Sequence, residues 1–301
     1  MIRGEGAAYP HGLDAAESWA RAYVEPVGTV EVVRSRTWAT TARIPTEHGA
    51  MWLKACAPSH GFEPELVAGL ADGWPELLPR VVAHDSDRGF LLLADAGVPF
   101  DELDNSPELW LRLLPRYADL QRRAVPPASV PDRALERWPE LFDELTASPL
   151  PLRPEETARL RAYTSRFAEF CGELAAYGLP AAIQHDDLHH RNAFVDGEAL
   201  RIIDWGDASL SHPFVSLVVT FRFLEERNGL APGDPWFARL RDAYLEPWGG
   251  GLSAAFDLAQ HIGRFAHAFG WVALRRLLPE DARARYDAPF AVVLRRALSL
   301  T

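Results

Sequence analysis

The sequence predicts an α+β fold with two lobes, a small β-rich lobe over residues 1–96 and a larger helical lobe over residues 97–301. The first part of the chain has runs of β-branched and aromatic residues separated by turn residues, which is typical of strands. The second part has apolar residues at helical spacing. A length of 301 residues agrees with two lobes, because single cores stop growing near roughly 250 residues.

The first lobe is predicted to contain a strand meander, one helix and two further strands. The three strands of the meander cover residues 29–34, 38–44 and 50–57. The helix covers 62–74 and has Leu66, Val67 and Leu70 on one face. The two further strands lie within 80–97, on either side of the polar turn DSDRG.

The second lobe is predicted to be helical. Its helices are expected at residues 106–124, 154–178, 234–245, 253–278 and 279–299. Ser106 and Pro107 begin the first of them, since a serine N-cap and a proline at the first helical position leave fewer amide groups unpaired. The proline-rich segment 126–131 is predicted to be a loop inside this lobe.

A hairpin is the one β element predicted in the second lobe. Asp196-Gly197 is a two-residue turn signal between apolar runs, so residues 192–204 are expected to fold back on themselves. Because the two ends of a hairpin lie side by side, Asn192 and Asp204 are predicted to be neighbours.

Composition argues against several classes of function. A net charge of −11 disfavours nucleic-acid binding, which needs a concentrated basic face, and it suits a cationic substrate. No window approaches the ~18 apolar residues of a membrane span, and the first residues lack the pattern of an export signal. Only two cysteines are present, Cys56 and Cys171, which together with the missing export signal predicts a cytoplasmic protein. The charge and the hydropathy predict that it binds neither nucleic acid nor membranes.

Lys54 is the only lysine in a sequence with many arginines. An ammonium is a compact point charge, whereas a guanidinium is a wide planar fork, so a site that fits only the ammonium would retain its lysine. Lys54 is therefore a candidate functional residue on a predicted strand.

Residues 184–195, QHDDLHHRNAFV, contain the pattern His-x-Asp-x-x-x-x-Asn, in which the aspartate is Asp187 and the asparagine is Asn192. The segment IDW, with Asp204, follows the hairpin. Together with the lysine strand upstream, this arrangement resembles the protein-kinase-like aminoglycoside phosphotransferases and their choline-kinase-like relatives over nearly the whole chain. The resemblance implies a bilobal protein-kinase-like fold.

The resemblance also implies an enzyme that transfers the γ-phosphoryl group of ATP, with Mg²⁺ bound, to a hydroxyl group of a small molecule. Phosphoryl transfer mainly needs cations and positioning groups, because the charge of its loose transition state lies on the transferred oxygens. The sequence does not distinguish ATP from GTP. It also leaves open an aminoglycoside-like cationic acceptor, a macrolide, homoserine, choline or a sugar, and it assigns no oligomeric state.

Three acidic or amide side chains of the motif receive roles in this interpretation. Asn192 and Asp204 are predicted metal ligands, since an amide oxygen and a carboxylate oxygen are hard ligands that Mg²⁺ prefers. Asp187 is the predicted catalytic residue, which accepts a hydrogen bond from the acceptor hydroxyl.

Nucleotide-binding residues are predicted in the first lobe. Lys54 is expected to contact the α and β phosphates and to be held by an acid, for which Glu63 and Glu65 compete. We predict Glu63, because it lies on the inward face of the predicted helix. Two further sets are expected to contact the nucleotide: Ser35 and Thr37 in the glycine-free turn 34–40, and Leu93, Asp95 and Ala96 in the segment that leaves the lobe.

Three positions depart from the family pattern. Asp186 stands where the family more often has glycine, and Ser216 stands where a second acid normally braces the catalytic loop. Asp207 is either an additional residue of the metal or substrate site or a solvated turn residue.

Two alternatives accompany the phosphotransferase interpretation. One is a kinase-like protein that binds a nucleotide or ligand but has impaired catalysis, which Ser216 and the glycine-free turn would favour. The other is a non-haem iron oxygenase that uses His185, Asp187 and a distal histidine such as His261 or His267. A zinc site at His185, His189 and His190 is disfavoured by spacing.

Overall fold

The computed structural model describes residues 12–278 and 280–299. Its strands are β1 Glu31–Ser35, β2 Ala39–Thr46, β3 Gly49–Cys56, β4 Val81–Asp85, β5 Phe90–Ala94, β6 Val98–Pro99, β7 Ala182–Gln184, β8 Ala193–Asp196, β9 Ala199–Ile202 and β10 Ser209–Ser211. Its helices are α1 Leu13–Ala20, α2 Glu63–Gly73, α3 Pro107–Arg123, α4 Trp138–Ala147, α5 Pro154–Ala162, α6 Thr164–Ala175, α7 Leu217–Asn228, α8 Pro235–Leu245, α9 Ser253–Leu277 and α10 Glu280–Leu298. Pro279, where the last helix was predicted to begin, and residues 1–11 of the segment assessed for an export signal lie outside the described residues.

The described residues form two compact units that alternate along the sequence. The first unit contains residues 12–104, 124–130 and 190–207, and the remaining residues form the second unit. The prediction used a single boundary at residue 96 and so placed the hairpin segment in the second lobe. The compact units place residues 190–207, which contain the hairpin, in the first unit. The two-lobe assignment stays a prediction.

A five-stranded antiparallel sheet is the main element of the first unit, in the order β1-β2-β3-β5-β4. The predicted meander and the two predicted strands that follow the helix are therefore confirmed. Helix α1, which was not predicted, covers this sheet, and the rings of Trp19 and Phe90 lie 5.6 Å apart. Their shared core consists of Ala16, Trp19, Ala20, Ile44, Leu53, Phe90 and Leu92.

Helix α2 agrees with the helix predicted over 62–74. Its apolar residues Leu66, Val67 and Leu70 are buried, as their spacing requires. Glu63 at its first position is buried as well, at 1% exposure, whereas Glu65 is exposed.

The predicted hairpin is confirmed as the antiparallel pair of β8 and β9. Ala193 lies opposite Ile202 at one end of the pair, and Asp196 lies opposite Ala199 at the other. Gly197 adopts the positive φ of 59° that the two-residue turn requires. β6 adds a third strand beside β8. Beyond the strands, the amide of Ile203 donates to the carbonyl of Asn192 at 3.0 Å, so the two ends of the hairpin meet.

The second unit is mainly helical and has an aromatic core. The rings of Phe142 and Phe167 stack at 4.3 Å, and both lie within 5.6 Å of the ring of Phe265 on α9. A short sheet of β7 and β10 also belongs to this unit, so the prediction of a single β element in the second lobe was wrong. Among the described residues, no helix is both long and apolar enough to cross a membrane.

Three details of the helical prediction need correction. Helices α4 and α7 were not predicted. The helix predicted over 154–178 is two helices, because the chain tightens at Tyr163, whose amide bonds to the carbonyl of Leu160 three residues back.

Gly97, which precedes β6, provides a test of the packing of the three-stranded sheet. Its φ is 101°, and a Cβ there would lie 2.1 Å from the carbonyl oxygen of Val195. We expect Gly97→Ala to lower the free energy of unfolding by about 2–5 kcal/mol, through backbone strain and a steric clash. Urea unfolding followed by circular dichroism measures this.

Gly197→Ala is the matched control, because Gly197 also has positive φ but no atom lies within 4 Å of its added Cβ. It should lower the free energy of unfolding by only about 1–2 kcal/mol. Equal losses for the two variants would contradict the packing described here.

Candidate functional site

Lys54 lies on the central strand β3 and contacts two carboxylates of the first unit. Its Nζ lies 2.6 Å from Oε2 of Glu63 and 2.5 Å from Oδ1 of Asp204. The lysine side chain is 12% exposed, so water screens these contacts weakly. The strand register places Lys54 between Thr41 of β2 and Leu91 of β5, which fixes the position of its Cα.

Electrostatics keep the ammonium of Lys54 charged. Burial by itself lowers the pKa of Lys54, but the charges of Asp204 and Glu63 outweigh burial and raise that pKa above its usual value. Burial raises the pKa of Glu63, and Lys54 opposes this effect. The thiol of Cys56, whose pKa burial also raises, lies 3.5 Å from Glu63 and donates to it.

Of the two acids that competed for Lys54, Glu63 makes the contact. Glu65 instead accepts a hydrogen bond from the hydroxyl of Ser129 at 2.8 Å. The difference follows from α2, whose buried face carries Glu63 and whose exposed face carries Glu65.

Asp204 follows β9 with a positive φ of 63°, which is uncommon for a residue with a side chain. Its Oδ2 accepts a hydrogen bond from Arg34 Nη2 at 2.9 Å while its Oδ1 contacts Lys54. Sequence reasoning missed Arg34, since nothing local connects β1 to residue 204. Two cationic side chains therefore converge on the predicted metal ligand.

Gly206 was also missed, although the sequence IDWG displays it. A Cβ at Gly206 would lie 3.0 Å from Oε2 of Glu63 and 3.0 Å from Cδ2 of His60. The absence of a side chain therefore lets the backbone approach the acids that hold Lys54.

Asn192, the other predicted metal ligand, is 4% exposed and precedes β8. Its carbonyl is bonded to the residue before Asp204, so the hairpin brings the backbones of both predicted ligands together. An amide oxygen and a carboxylate that attracts two cations are a donor set that fits Mg²⁺, which binds few protein oxygens and retains waters or phosphates. The described residues contain no cluster of three or more histidine, cysteine, aspartate and glutamate side chains suited to a metal.

Asp187 belongs to the second unit and lies in the loop after β7. His189 Nε2 lies 3.3 Å from its Oδ2, and its backbone amide donates to His185 Nδ1 at 3.3 Å. Burial alone would raise the pKa of Asp187, but the hydrogen bond and charge of His189, with smaller effects of His185 and His267, hold that pKa below its usual value. Asp187 is therefore an oriented, ionised carboxylate, and the role of His189 was missed.

Asp186, the first departure from the family pattern, is held by its own partners in the second unit. Its carboxylate accepts a hydrogen bond from Ser209 at 2.5 Å and lies 3.4 Å from Arg133 Nη1. Asp186 tolerates a positive φ of 59° in place of the glycine. Burial raises its pKa, and Arg133 opposes that shift.

Ser216, the second departure, belongs to a buried network of neutral groups. Its hydroxyl lies 2.7 Å from the hydroxyl of Tyr117 and donates to the side chain of Gln184 in β7. Tyr117 in turn accepts a hydrogen bond from the amide of His185 at 3.1 Å. Neutral hydrogen bonds thus brace the loop that carries Asp187, at the position where the resemblance implies an acid.

The remaining predicted nucleotide-binding residues lie in two segments of the first unit. The predicted turn 34–40 is a shorter connection of residues 36–38 between β1 and β2, and it contains Thr37. Ser35 is the last residue of β1, and its hydroxyl lies 3.2 Å from the hydroxyl of Thr40. Leu93 lies on β5, and the buried Ala96 lies just beyond it. Between them, Asp95 accepts hydrogen bonds from Trp52 and from the amide of Gly97.

Comparison with protein families identifies the class of this protein. Residues 61–257 match the model of the phosphotransferase enzyme family, and the chain belongs to that family. This membership confirms the predicted resemblance and the predicted enzyme class, and it contradicts the iron oxygenase alternative. A search of curated proteins finds no significant match.

Solved structures show the same fold. The choline kinase of Streptococcus pneumoniae has a TM-score of 0.63 at 13% identity and covers 94% of this chain and 98% of its own. The macrolide 2'-phosphotransferase of Brachybacterium faecium has a TM-score of 0.59 at 19% identity, covering 94% and 98%. A spectinomycin phosphotransferase, in complex with ADP and spectinomycin, has a TM-score of 0.56 at 14% identity, covering 95% and 97%. The predicted α+β, protein-kinase-like fold is confirmed.

The close approach of Gly206 to Glu63 can be tested. We expect Gly206→Ala to lower the free energy of unfolding by about 1–3 kcal/mol, because the added Cβ displaces the acid or the ring of His60. Urea unfolding at neutral pH measures the loss.

Gly69→Ala on α2 is the control, since Gly69 is exposed and its added Cβ meets no atom within 4 Å. This variant should be neutral or more stable by up to about 1 kcal/mol. A neutral Gly206→Ala variant would contradict the described packing around Glu63.

Proposed function

We propose that this protein transfers the γ-phosphoryl group of ATP, with Mg²⁺ bound, to a hydroxyl group of a small molecule in the cytoplasm. The observation that carries the proposal is the contact of the sole lysine with both Glu63 and Asp204 in a chain of the phosphotransferase family. Cys56 and Cys171 are buried and form no disulfide, which agrees with a reducing compartment. The net charge of −11 disfavours a nucleic-acid partner.

In the proposed reaction, the bond between the γ phosphorus and the oxygen that bridges it to the β phosphate breaks. A new bond forms between the γ phosphorus and the acceptor oxygen, and ADP leaves. The proton of the acceptor hydroxyl passes to the carboxylate of Asp187. Because this transition state is loose, Asp187 acts mainly by orienting the hydroxyl, and the contact with His189 fixes the orientation of its carboxylate.

The ammonium of Lys54 would donate hydrogen bonds to phosphate oxygens, and Glu63 would hold the lysine in position. Asn192 and Asp204 would provide the protein ligands of Mg²⁺, which supplies positive charge next to the phosphates. The contacts of Lys54 and Arg34 with Asp204 support this role, since they mark a carboxylate that attracts positive charge.

ATP as the nucleotide is supported by two features. Leu93 lies near the end of β5, and the chain leaves the sheet through Asp95 and Ala96. The side chain of Asp95 is held by Trp52 and Gly97, so this segment is fixed and suited to backbone recognition of adenine. The spectinomycin phosphotransferase with the same fold contains ADP.

A protein that binds a nucleotide without catalysis is the second candidate. The glycine-free connection 36–38 favours it. The hydrogen bonds of Ser216 argue against it, because they supply the loop brace that the missing acid would have provided. Incubation with Mg-ATP and a library of hydroxyl compounds separates the candidates, because ADP release that depends on the acceptor supports only the enzyme.

Asp187→Asn tests the catalytic assignment. The variant keeps the shape of the side chain but removes its proton-accepting charge, so kcat should fall by about 10²-fold to 10⁴-fold. The dissociation constant of Mg-ATP, measured by titration calorimetry, should stay unchanged. Asp143→Asn, at an exposed position of α4, should retain full activity. A variant at Asp187 that retains the kcat of the wild type would remove this residue from the mechanism.

Glu63→Gln tests the support of Lys54, and Glu65→Gln is its matched control two residues away. Loss of the buried charge–charge contact should raise KM for ATP about tenfold or more in Glu63→Gln. Glu65→Gln should leave KM unchanged, because Glu65 is exposed and bonds to Ser129. Steady-state kinetics decide between them, and equal values for both variants would refute the role of Glu63.

A further inference from the structure

A cavity of about 540 Å³ lies within the second unit, between α7, α8, α9 and α10. Its volume is typical of sites for small molecules. Part of its wall is apolar, formed by Val218, Phe221, Phe237 and Phe256. It can therefore enclose an apolar body of a ligand.

The charged residues of the cavity wall neutralise one another only in part. Arg296 bonds to Glu226, and Asp257 lies 3.9 Å from Arg241, which is not part of the wall. These pairs account for one arginine and two acids of the wall.

Two guanidinium groups, those of Arg222 and Arg264, remain. Within the described part of the chain, neither forms a salt bridge with a carboxylate. The only other acid of the wall, Glu225, is exposed. The wall thus carries three arginines and three acids, but two of its guanidinium groups have no carboxylate partner among the described residues.

Arg222 is in an environment that disfavours an unpaired cation. Its Nε is buried and has no hydrogen-bond partner among the described residues, and its guanidinium lies 4.5 Å from the ring centroid of Phe223. Burial, and then the charge of Arg296, lower the pKa of Arg222. A bound oxyanion would relieve both effects, because it supplies hydrogen-bond acceptors and a compensating charge.

The cavity is also connected to the loop that carries Asp187. His267, another residue of the wall, hydrogen-bonds the backbone of Asp186, and burial lowers its pKa to about 4, so its ring is neutral at pH 7. The charge of Asp187 acts on the pKa of both His267 and Arg222. The wall residues His267 and Arg222 therefore link the cavity to the loop that carries the proposed catalytic carboxylate.

We propose that this cavity binds the phosphoryl acceptor, and that the acceptor is a hydroxylated compound with an apolar body and an oxyanionic group held by Arg222 and Arg264. This inference rests on the proposed phosphotransferase function. It differs from the cationic acceptor that the net charge of −11 suggested, because the wall does not share the acidic excess of the whole chain and two of its arginines have no carboxylate partner among the described residues. Planar guanidinium groups match carboxylate and phosphate oxygens in pairs.

The test measures direct binding to the full chain by titration calorimetry, without nucleotide. The probes are 3-phenyllactate, its neutral amide and the cationic amino alcohol phenylalaninol, which share an aromatic body and a hydroxyl group. Glycerol 3-phosphate is the phosphate probe. We expect an oxyanionic probe to bind at least about tenfold more tightly than the amide, with phenylalaninol the weakest.

Arg222→Gln and Arg264→Gln should each remove most of this preference for the oxyanion, and Arg222→Lys should retain part of it. Arg227→Gln, at an exposed position of the same helix α7 and outside the cavity, is the matched control and should keep the full preference. Melting temperatures identify any variant that fails to fold, in which case the second arginine variant decides.

Several outcomes would overturn the proposal. They are equal binding of acid, amide and amine, preference for phenylalaninol, absence of oxyanion binding at millimolar concentration, or an unchanged preference in both glutamine variants. Tighter binding of glycerol 3-phosphate than of phenyllactate would support it and assign the oxyanion as a phosphate. Asp187→Asn should retain oxyanion binding, because the oxyanion is held by the arginines. If the wild-type chain binds these probes but transfers no phosphoryl group, the proposed reaction is refuted and the binding site is not.

Discussion

The ammonium of Lys54 between two carboxylates is the interaction on which the first unit depends. A buried cation with partners is stable, whereas removal of one member of such a set costs about 3–5 kcal/mol, because it leaves an uncompensated buried charge. Three separate elements must supply the groups: β3 carries the lysine, α2 carries Glu63, and the end of the β8–β9 hairpin carries Asp204. The bare backbone of Gly206 allows the last of these elements to come close.

The second unit solves a different problem, which is to hold a loop carrying an ionised aspartate. Tyr117 and Ser216 fix the strand end before Asp187 through neutral hydrogen bonds, and Arg133 with Ser209 draws the neighbouring Asp186 into its own contacts. Tyr117, Ser216 and Ser209 are neutral, and Arg133 is paired with Asp186, so none of these partners places a further negative charge beside Asp187. Neutral hydrogen bonds therefore hold this loop where the resemblance implies a bracing acid, and a sequence pattern does not display them.

Charge illustrates why a global property is a poor guide to a site. The net charge of −11 is a sum over the whole chain, and salt screens the fields of exposed side chains within about 10 Å. Arg222 and Arg264 line a cavity that is partly open to solvent, and the Nε of Arg222 is buried, so salt screens its charge less than that of an exposed side chain. The net charge of the whole chain suggested a cationic acceptor. The arginines of the cavity wall suggest an oxyanionic one, because only charges near the ligand act on it strongly.

The sequence by itself determined the five strands of the main sheet, the hairpin, most of the helices and the motif residues, because periodicity, turn residues and motif spacing are local properties of the chain. The choice of Glu63 over Glu65 was also local, since it followed from which face of α2 is apolar. Only the tertiary structure decided that Arg34 meets Asp204, that Arg133 meets Asp186 and which arginines line the cavity. Such pairs join residues far apart in sequence, and their distances depend on packing between elements that no local pattern encodes.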